Sequence, residues 1–116
     1  MKVGIVGNGM IVPIAIEAML RAEIEVTALW CRNGAKGKPI VEKYQIQNQY
    51  TDYQAFLDDD SFDTVYIGLT NALHYQYAKD AILARKHVIV EKPFTISTAE
   101  AKELHTLALE HECMLF

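Results

Sequence analysis

Lys2-Val3-Gly4-Ile5-Val6-Gly7-Asn8-Gly9-Met10-Ile11-Val12 opens the chain and decides its fold. The first five residues are a short β-rich, mostly apolar run, the signature of a strand buried on both faces. Gly7 permits a tight turn, and Gly9 removes the Cβ that would keep a backbone from approaching a ligand. Residues 10–21 follow with apolar side chains at Ile11, Ile14, Ala15, Ala18 and Met19, which predicts a helix with one buried face. Pro13 falls near its first turn, where a missing N–H costs little. Strand, glycine turn and helix in direct succession build an anion site, because the helix N-terminus presents unpaired N–H groups and the positive end of its dipole. Gly7, Asn8, Gly9, Met10 and Ile11 are therefore the candidate phosphate-holding residues. Val12 stands where the third glycine of the G-x-G-x-x-G pattern would fall, which is expected to loosen helix–strand packing slightly and leave the anion site intact.

Beyond this unit the chain keeps alternating. Residues 24–30 read as a second strand and 34–39 as a loop, after which Pro39 opens a helical segment to about residue 46. Tyr50 belongs to a very short third strand, and Thr51-x-x-Gln54 predicts a capping box for a helix ending at Leu57. Residues 63–69 form an almost continuously apolar fourth strand. A helix over 71–85, with Leu73, Tyr77, Ala81 and Ala84 along one side, leads to a fifth strand at 87–91. Ser97-x-x-Glu100 is a second capping box, opening a helix that turns Ala101, Leu104, Leu107 and Ala108 inward. The closing Cys113-Met114-Leu115-Phe116 reads as the beginning of a sixth strand, so the chain is expected to be cut before a further domain. Alternating strands and helices predict an α/β protein, a Rossmann-type doubly wound parallel sheet of order 3-2-1-4-5-6 in three layers, with 1–116 as one dinucleotide-binding domain.

Composition narrows the classes further. Fifteen acids against eleven bases give a net charge of −4, so there is no general attraction to nucleic acid or an anionic membrane. Cys31 and Cys113 have neither metal-ligand nor disulfide spacing, and two buried free thiols in a reducing cytoplasm is the expected reading. The apolar N-terminus is broken by Asn8, the glycines and Pro13, which argues against a signal peptide. No metal site is expected.

A dinucleotide site needs a partner for the adenosine ribose about 20 residues after the glycine turn. The sequence there is Trp30-Cys31-Arg32-Asn33, with no acid to accept from a 2′-hydroxyl. Arg32 can instead fork onto a 2′-phosphate and lie against adenine, which favours NADP over NAD; taken alone it reads equally as a solvated loop arginine. Two more segments fall at the carboxyl ends of the fourth and fifth strands: Thr70-Asn71-Ala72-Leu73-His74 and Glu91-Lys92-Pro93. A lysine beside a nicotinamide can bond the reacting oxygen and help its proton move. Asn71 serves equally as a helix cap, His74 as a histidine without chemistry, and Tyr66, Tyr75 and Tyr77 as packing.

The glycine turn, the Thr-Asn-x-x-His segment and Glu91-Lys92-Pro93, in this order, resemble the N-terminal domain of the glucose–fructose oxidoreductase, inositol dehydrogenase and rhizopine-catabolism (Gfo/Idh/MocA) family over essentially the whole chain. The resemblance implies that Gly7 to Ile11 hold the pyrophosphate and that Arg32 sits at the adenosine end. It places Thr70, Asn71 and His74 along the ribose and nicotinamide, Glu91 positioning the cofactor and Lys92 reaching the substrate oxygen, with a Lys92–Pro93 bond that X-Pro chemistry allows to be cis. It further implies hydride transfer between NAD(P) and a hydroxyl or carbonyl carbon of a sugar or cyclitol. A second domain would complete the pocket with an acid–base histidine and mediate homo-oligomers. These 116 residues alone are then expected to bind cofactor weakly and turn over nothing. The competing reading is a non-catalytic NAD(P)-binding sensor, which has no need of a lysine at position 92.

Overall fold

The computed structural model describes residues 1–69, 74–90 and 97–116. Strands β1 (Lys2–Val6), β2 (Glu25–Trp30), β3 (Asn48–Tyr50), β4 (Thr64–Ile67) and β5 (His87–Val90) form one sheet of order β3-β2-β1-β4-β5. Every neighbouring pair is parallel. Between them run helices α1 (Ile11–Arg21), α2 (Gly34–Tyr44), α3 (Tyr53–Leu57) and α4 (His74–Leu83), with α5 (Thr98–Glu110) after the last strand.

Parallel strands need crossovers, and crossovers of one hand cover both faces, so two separate cores result. Val3 and Ile5 of β1 pack with Leu29, Tyr66, Val12 and Ile16 on the α1 and α2 side. Val6 turns the other way, to meet Ala28, Trp30, Val65, Ile67 and residues of α3, α4 and α5. Gly4 also faces that second core, and it has to be small. A Cβ there would stand 2.8 Å from both Phe56 Cζ and Phe62 Cε2.

The predicted three-layer sheet is thus present as 3-2-1-4-5. In the sixth place stands a single bridge: Leu115 pairs in parallel with Val88, and Phe116 N–H donates to Val88 O at 2.9 Å. Three local expectations are corrected. The buried face of α1 is Val12 and Ile16, whereas Ile11 and Ile14 are exposed. Residues 34–39 are not a loop, because Asn33 caps a helix starting at Gly34 and accepts from Ala35 N at 3.0 Å. Gly37 in that stretch is required by packing, since a Cβ would fall 2.4 Å from Cys31 Sγ. The cap of α3 is Asp52, one residue later than expected, accepting from Ala55 N at 3.1 Å.

The capping box of α5 forms as read, with Ser97 and Glu100 each accepting from the other's backbone N–H at 3.1 Å. Both cysteines are free and buried. No helix among the described residues is long and apolar enough to cross a membrane.

Candidate functional site

The glycine turn sits where β1 ends, at the carboxyl edge of the sheet between β2 and β4. Gly7 has φ +112°, a left-handed backbone that a side chain would strain. Its N–H donates to Trp30 O at 2.7 Å, fixing the turn against the end of β2. A Cβ on Gly7 would also meet Gly68 O at 2.8 Å, so both conformation and packing demand glycine.

Gly9 differs. It is not in the left-handed region, and a Cβ there would find only Gly68 O, at 3.8 Å. Neither the turn nor the core calls for glycine at this position, and what the missing Cβ leaves open is space outside the protein. Immediately after it α1 starts with no side-chain cap and no acid in its first turn. An uncapped helix end behind a glycine that leaves room for a ligand fits a pyrophosphate. Met10, at 93% exposure, and Ile11 stand at this same lip.

Val12 replaces the third glycine without loosening the packing, contrary to expectation. It is fully buried, and a Cβ on Gly68 would touch Val12 Cγ2 at 3.0 Å. The close approach that a glycine in α1 would have allowed is supplied instead by a glycine after β4.

From the turn a groove of about 400 Å³ runs toward the start of α2, lined by Gly7, Asn8, Trp30, Arg32, Asn33, Lys36 and Leu69. It brings together the glycine turn and Arg32, 25 residues apart in the chain from Gly7. Trp30, Asn33, Lys36 and Leu69 were not singled out from sequence. The signal for Lys36 was Asn33, which as a helix cap places Lys36 in a first turn facing the groove.

Trp30 is 4% exposed, and its Nε1 has no hydrogen-bond partner among the described residues. Beneath it, Cys31 Sγ donates to Asn33 O at 3.1 Å. Burial pushes the Cys31 thiol up, despite bonds from the Gly37 and Asn33 backbone that lower it, so it stays protonated and is no nucleophile. Among the described residues no three His, Cys, Asp or Glu side chains converge on a metal site.

Thr70, Asn71, Glu91, Lys92 and Pro93 lie outside the described residues. His74 is the first residue of α4 and is 1% exposed. Its Nε2 lies 2.7 Å from Leu69 O; a carbonyl can only accept, so Nε2 carries the proton. Nδ1 has no partner among the described residues. The ring therefore ties Leu69, just after β4, to the start of α4. A second recess of about 420 Å³ lies at the opposite sheet edge, between α5 and Leu115 and Phe116; it is mostly apolar and remote from the glycine turn.

Comparison with known proteins follows this geometry. Residues 1–116 match the family described as oxidoreductase family, NAD-binding Rossmann fold. The chain is 38% identical over 101 residues to D-xylose 1-dehydrogenase (NADP(+)) 2 of Haloferax volcanii, covering 86% of this chain and 31% of that one. It is 31% identical over 108 residues to the scyllo-inositol 2-dehydrogenase (NADP(+)) IolU of Bacillus subtilis, covering 92% and 33%. The open conformation of KijD10, a 3-ketoreductase from Actinomadura kijaniata solved with TDP-benzene and NADP, superimposes with a TM-score of 0.91 at 32% identity, over 99% of this chain and 37% of that one. The chain thus spans about a third of the length of the curated relatives it matches. With a sheet, a glycine turn and a sequence match that agree from the first residue to the last, the chain belongs to the Gfo/Idh/MocA oxidoreductase family and forms its NAD-binding Rossmann domain.

Proposed function

We propose that this chain binds NADP and forms the cofactor half of a dehydrogenase or reductase acting on a hydroxyl or carbonyl carbon of a sugar, cyclitol or similar small molecule. The observation that carries the reading is the groove joining the glycine turn, at Gly7 and Asn8, to Arg32 and Lys36 by the start of α2, with room for an anion at one end and cations suited to a phosphorylated ribose at the other. The named relatives, two of them NADP(+) dehydrogenases, support the same choice.

The bound nicotinamide would supply or accept the hydride. Gly7, Asn8, Gly9, Met10 and Ile11 would hold the pyrophosphate and Arg32 the 2′-phosphate. Thr70, Asn71 and His74 would line the ribose and nicotinamide side. Glu91 would position the ring, and Lys92 would hydrogen-bond the reacting oxygen, stabilising its developing charge and relaying its proton. His74 is suited to fixing the Thr70–Asn71 segment, since its ring is bonded to Leu69 O. A second domain would close the substrate side and carry the contacts of a homo-oligomer. The free, buried thiols suit a cytoplasmic protein.

Titration of the chain with NADPH, NADP, NADH and NAD, read as binding heat and as melting temperature, tests the cofactor. The 2′-phosphorylated pair should bind more tightly, and a preference for NADH would remove Arg32 from its role. In the full-length protein Lys92→Ala should leave cofactor affinity intact and lower turnover at least about a hundredfold. Unchanged turnover would return the chain to a binding-only sensor.

A further inference from the structure

We propose that the Asn8–Gly9 pair is a self-modification site, where loss of ammonia turns Asn8 into an acidic residue and disables the glycine turn of the cofactor-free chain. The effect on binding, though not the conversion itself, rests on the NADP reading above. The Gly9 backbone nitrogen gives its proton to solvent base and attacks Asn8 Cγ. A C–N bond forms, the bond to the side-chain nitrogen breaks, and that nitrogen leaves as ammonia. Water then opens the cyclic imide at either carbonyl, leaving an aspartyl or an isoaspartyl residue. Water enters, ammonia leaves, and nothing is oxidised or reduced. Glycine in the second place favours closure, because no Cβ crowds the attacking nitrogen.

The chain has two such pairs, Asn8–Gly9 and Asn33–Gly34, and Asn8 and Asn33 line the same groove. Their sequence chemistry is equal; the fold separates them. Asn33 is pinned at both its oxygens. Its Oδ1 accepts from Ala35 N at 3.0 Å, and its carbonyl accepts from Lys36 N at 3.1 Å and Gly37 N at 3.3 Å. Gly34 O in turn accepts from Gln49 Nε2 at 2.8 Å. Swinging the Asn33 side-chain carbon onto the Gly34 nitrogen would break the cap of α2.

Asn8 has none of these restraints. It is exposed, and neither its side chain nor the Gly9 N–H has a hydrogen-bond partner among the described residues. The backbone is anchored on either side of the pair, from Gly7 N to Trp30 O and from Val12 N to Gly9 O, but not across it. Around Gly9 the space is open, since a Cβ there would find only Gly68 O, at 3.8 Å. That is the space left for the pyrophosphate. A carboxylate at position 8 repels the incoming anion, and an isoaspartyl link adds a methylene to the main chain and displaces Gly9. Bound cofactor covers the turn, so the empty chain is the one that ages.

Incubation of the 116-residue chain at mildly alkaline pH, folded, folded with saturating NADPH, and in urea, tests this. Peptide mass mapping reads positions 8 and 33, and NADPH titration follows each folded sample. In urea both positions should convert together. In the folded chain position 8 should convert at least about fivefold faster than position 33, the factor a helix cap alone supplies. NADPH should slow position 8, and affinity for NADPH should fall in step with its conversion. Asn8→Asp should weaken NADPH at least about tenfold from the start, and Asn8→Ser should keep its own affinity throughout the incubation. Equal conversion at both positions of the folded chain, or none at position 8, would overturn the site. Conversion that left NADPH affinity unchanged, or that saturating NADPH did not slow, would overturn its effect on the turn, as would an equal loss in Asn8→Ser. A fresh chain that bound no NADPH would overturn the NADP reading, whereas conversion of position 8 ahead of position 33 would still uphold the modification site.

Discussion

Replacing Gly9 with alanine should separate what the fold needs from what the ligand needs. The added Cβ would meet only Gly68 O, at 3.8 Å, an ordinary van der Waals distance, and Gly9 is not among the positive-φ residues. Alanine at a compatible position restricts the unfolded chain, which stabilises by about 0.4–1 kcal/mol. For a chain of this size that is a rise of about 2–6 °C in melting temperature. Gly7→Ala is the contrast, because φ +112° and a 2.8 Å approach to Gly68 O both oppose it. Backbone strain alone costs about 1–3 kcal/mol, so its melting temperature should fall by about 5–15 °C. Binding should go the other way: with a methyl group in the space left for the pyrophosphate, Gly9→Ala should weaken NADPH at least about tenfold, or about 1.4 kcal/mol. Calorimetric melting and titration of the two variants side by side give the four numbers. If Gly9→Ala destabilised the free chain as much as Gly7→Ala, Gly9 would be a fold glycine. If it melted higher and bound NADPH unchanged, no ligand backbone would approach there, and the phosphate assignment would be wrong.

Two further outcomes test the scaffold that holds the site. Gly37→Ala drives a Cβ to 2.4 Å from Cys31 Sγ and should cost about 1–3 kcal/mol in urea unfolding. Cys31→Ala in the same chain should recover much of it, and simple additivity of the two changes would refute the contact. Burial alone would raise the Asp59 carboxyl, but bonds from Tyr50 Oη at 2.7 Å, Ser61 N at 2.7 Å and Asn48 Nδ2 at 3.1 Å outweigh it and hold it below the usual range. A carboxylate depressed on folding stabilises above its unfolded value near pH 4 and ceases to as pH falls through the folded value. Asp59→Asn should therefore cost about 1–3 kcal/mol at pH 7 and progressively less below pH 4, and a penalty independent of pH would sink the charge argument.

Much of the site was legible because its chemistry is local. Gly7 follows a strand and precedes a helix, and nothing distant is needed to read a turn there. Arg32 was legible by its distance from that turn. Lys36 was missed because two glycines and Pro39 made 34–39 look irregular, and propensity cannot foresee that Gly37 is fixed by Cys31 Sγ from β2. His74 was read as lining the ribose and nicotinamide side, and the structure adds that its ring is buried and bonded to Leu69 O. The side of a helix start on which a histidine falls depends on how α4 rests on the sheet, which spacing alone leaves open. Thr70, Asn71, Glu91 and Lys92 lie outside the described residues and are assigned through the family resemblance.

The sequence by itself determined the alternation of strands and helices, the parallel sheet that alternation requires, the glycine turn after β1 and the absence of an acid just after β2. These depend on period, punctuation and residue type within a few positions, which a linear chain carries in full. Only the tertiary structure decided which face of α1 is buried, that Gly68 takes over the packing role Val12 had displaced from the third glycine, and that Arg32 and Lys36 share one groove with Gly7. Each of those depends on two segments far apart in the chain meeting at a particular height on the sheet, a quantity set by close packing and register rather than by any residue alone.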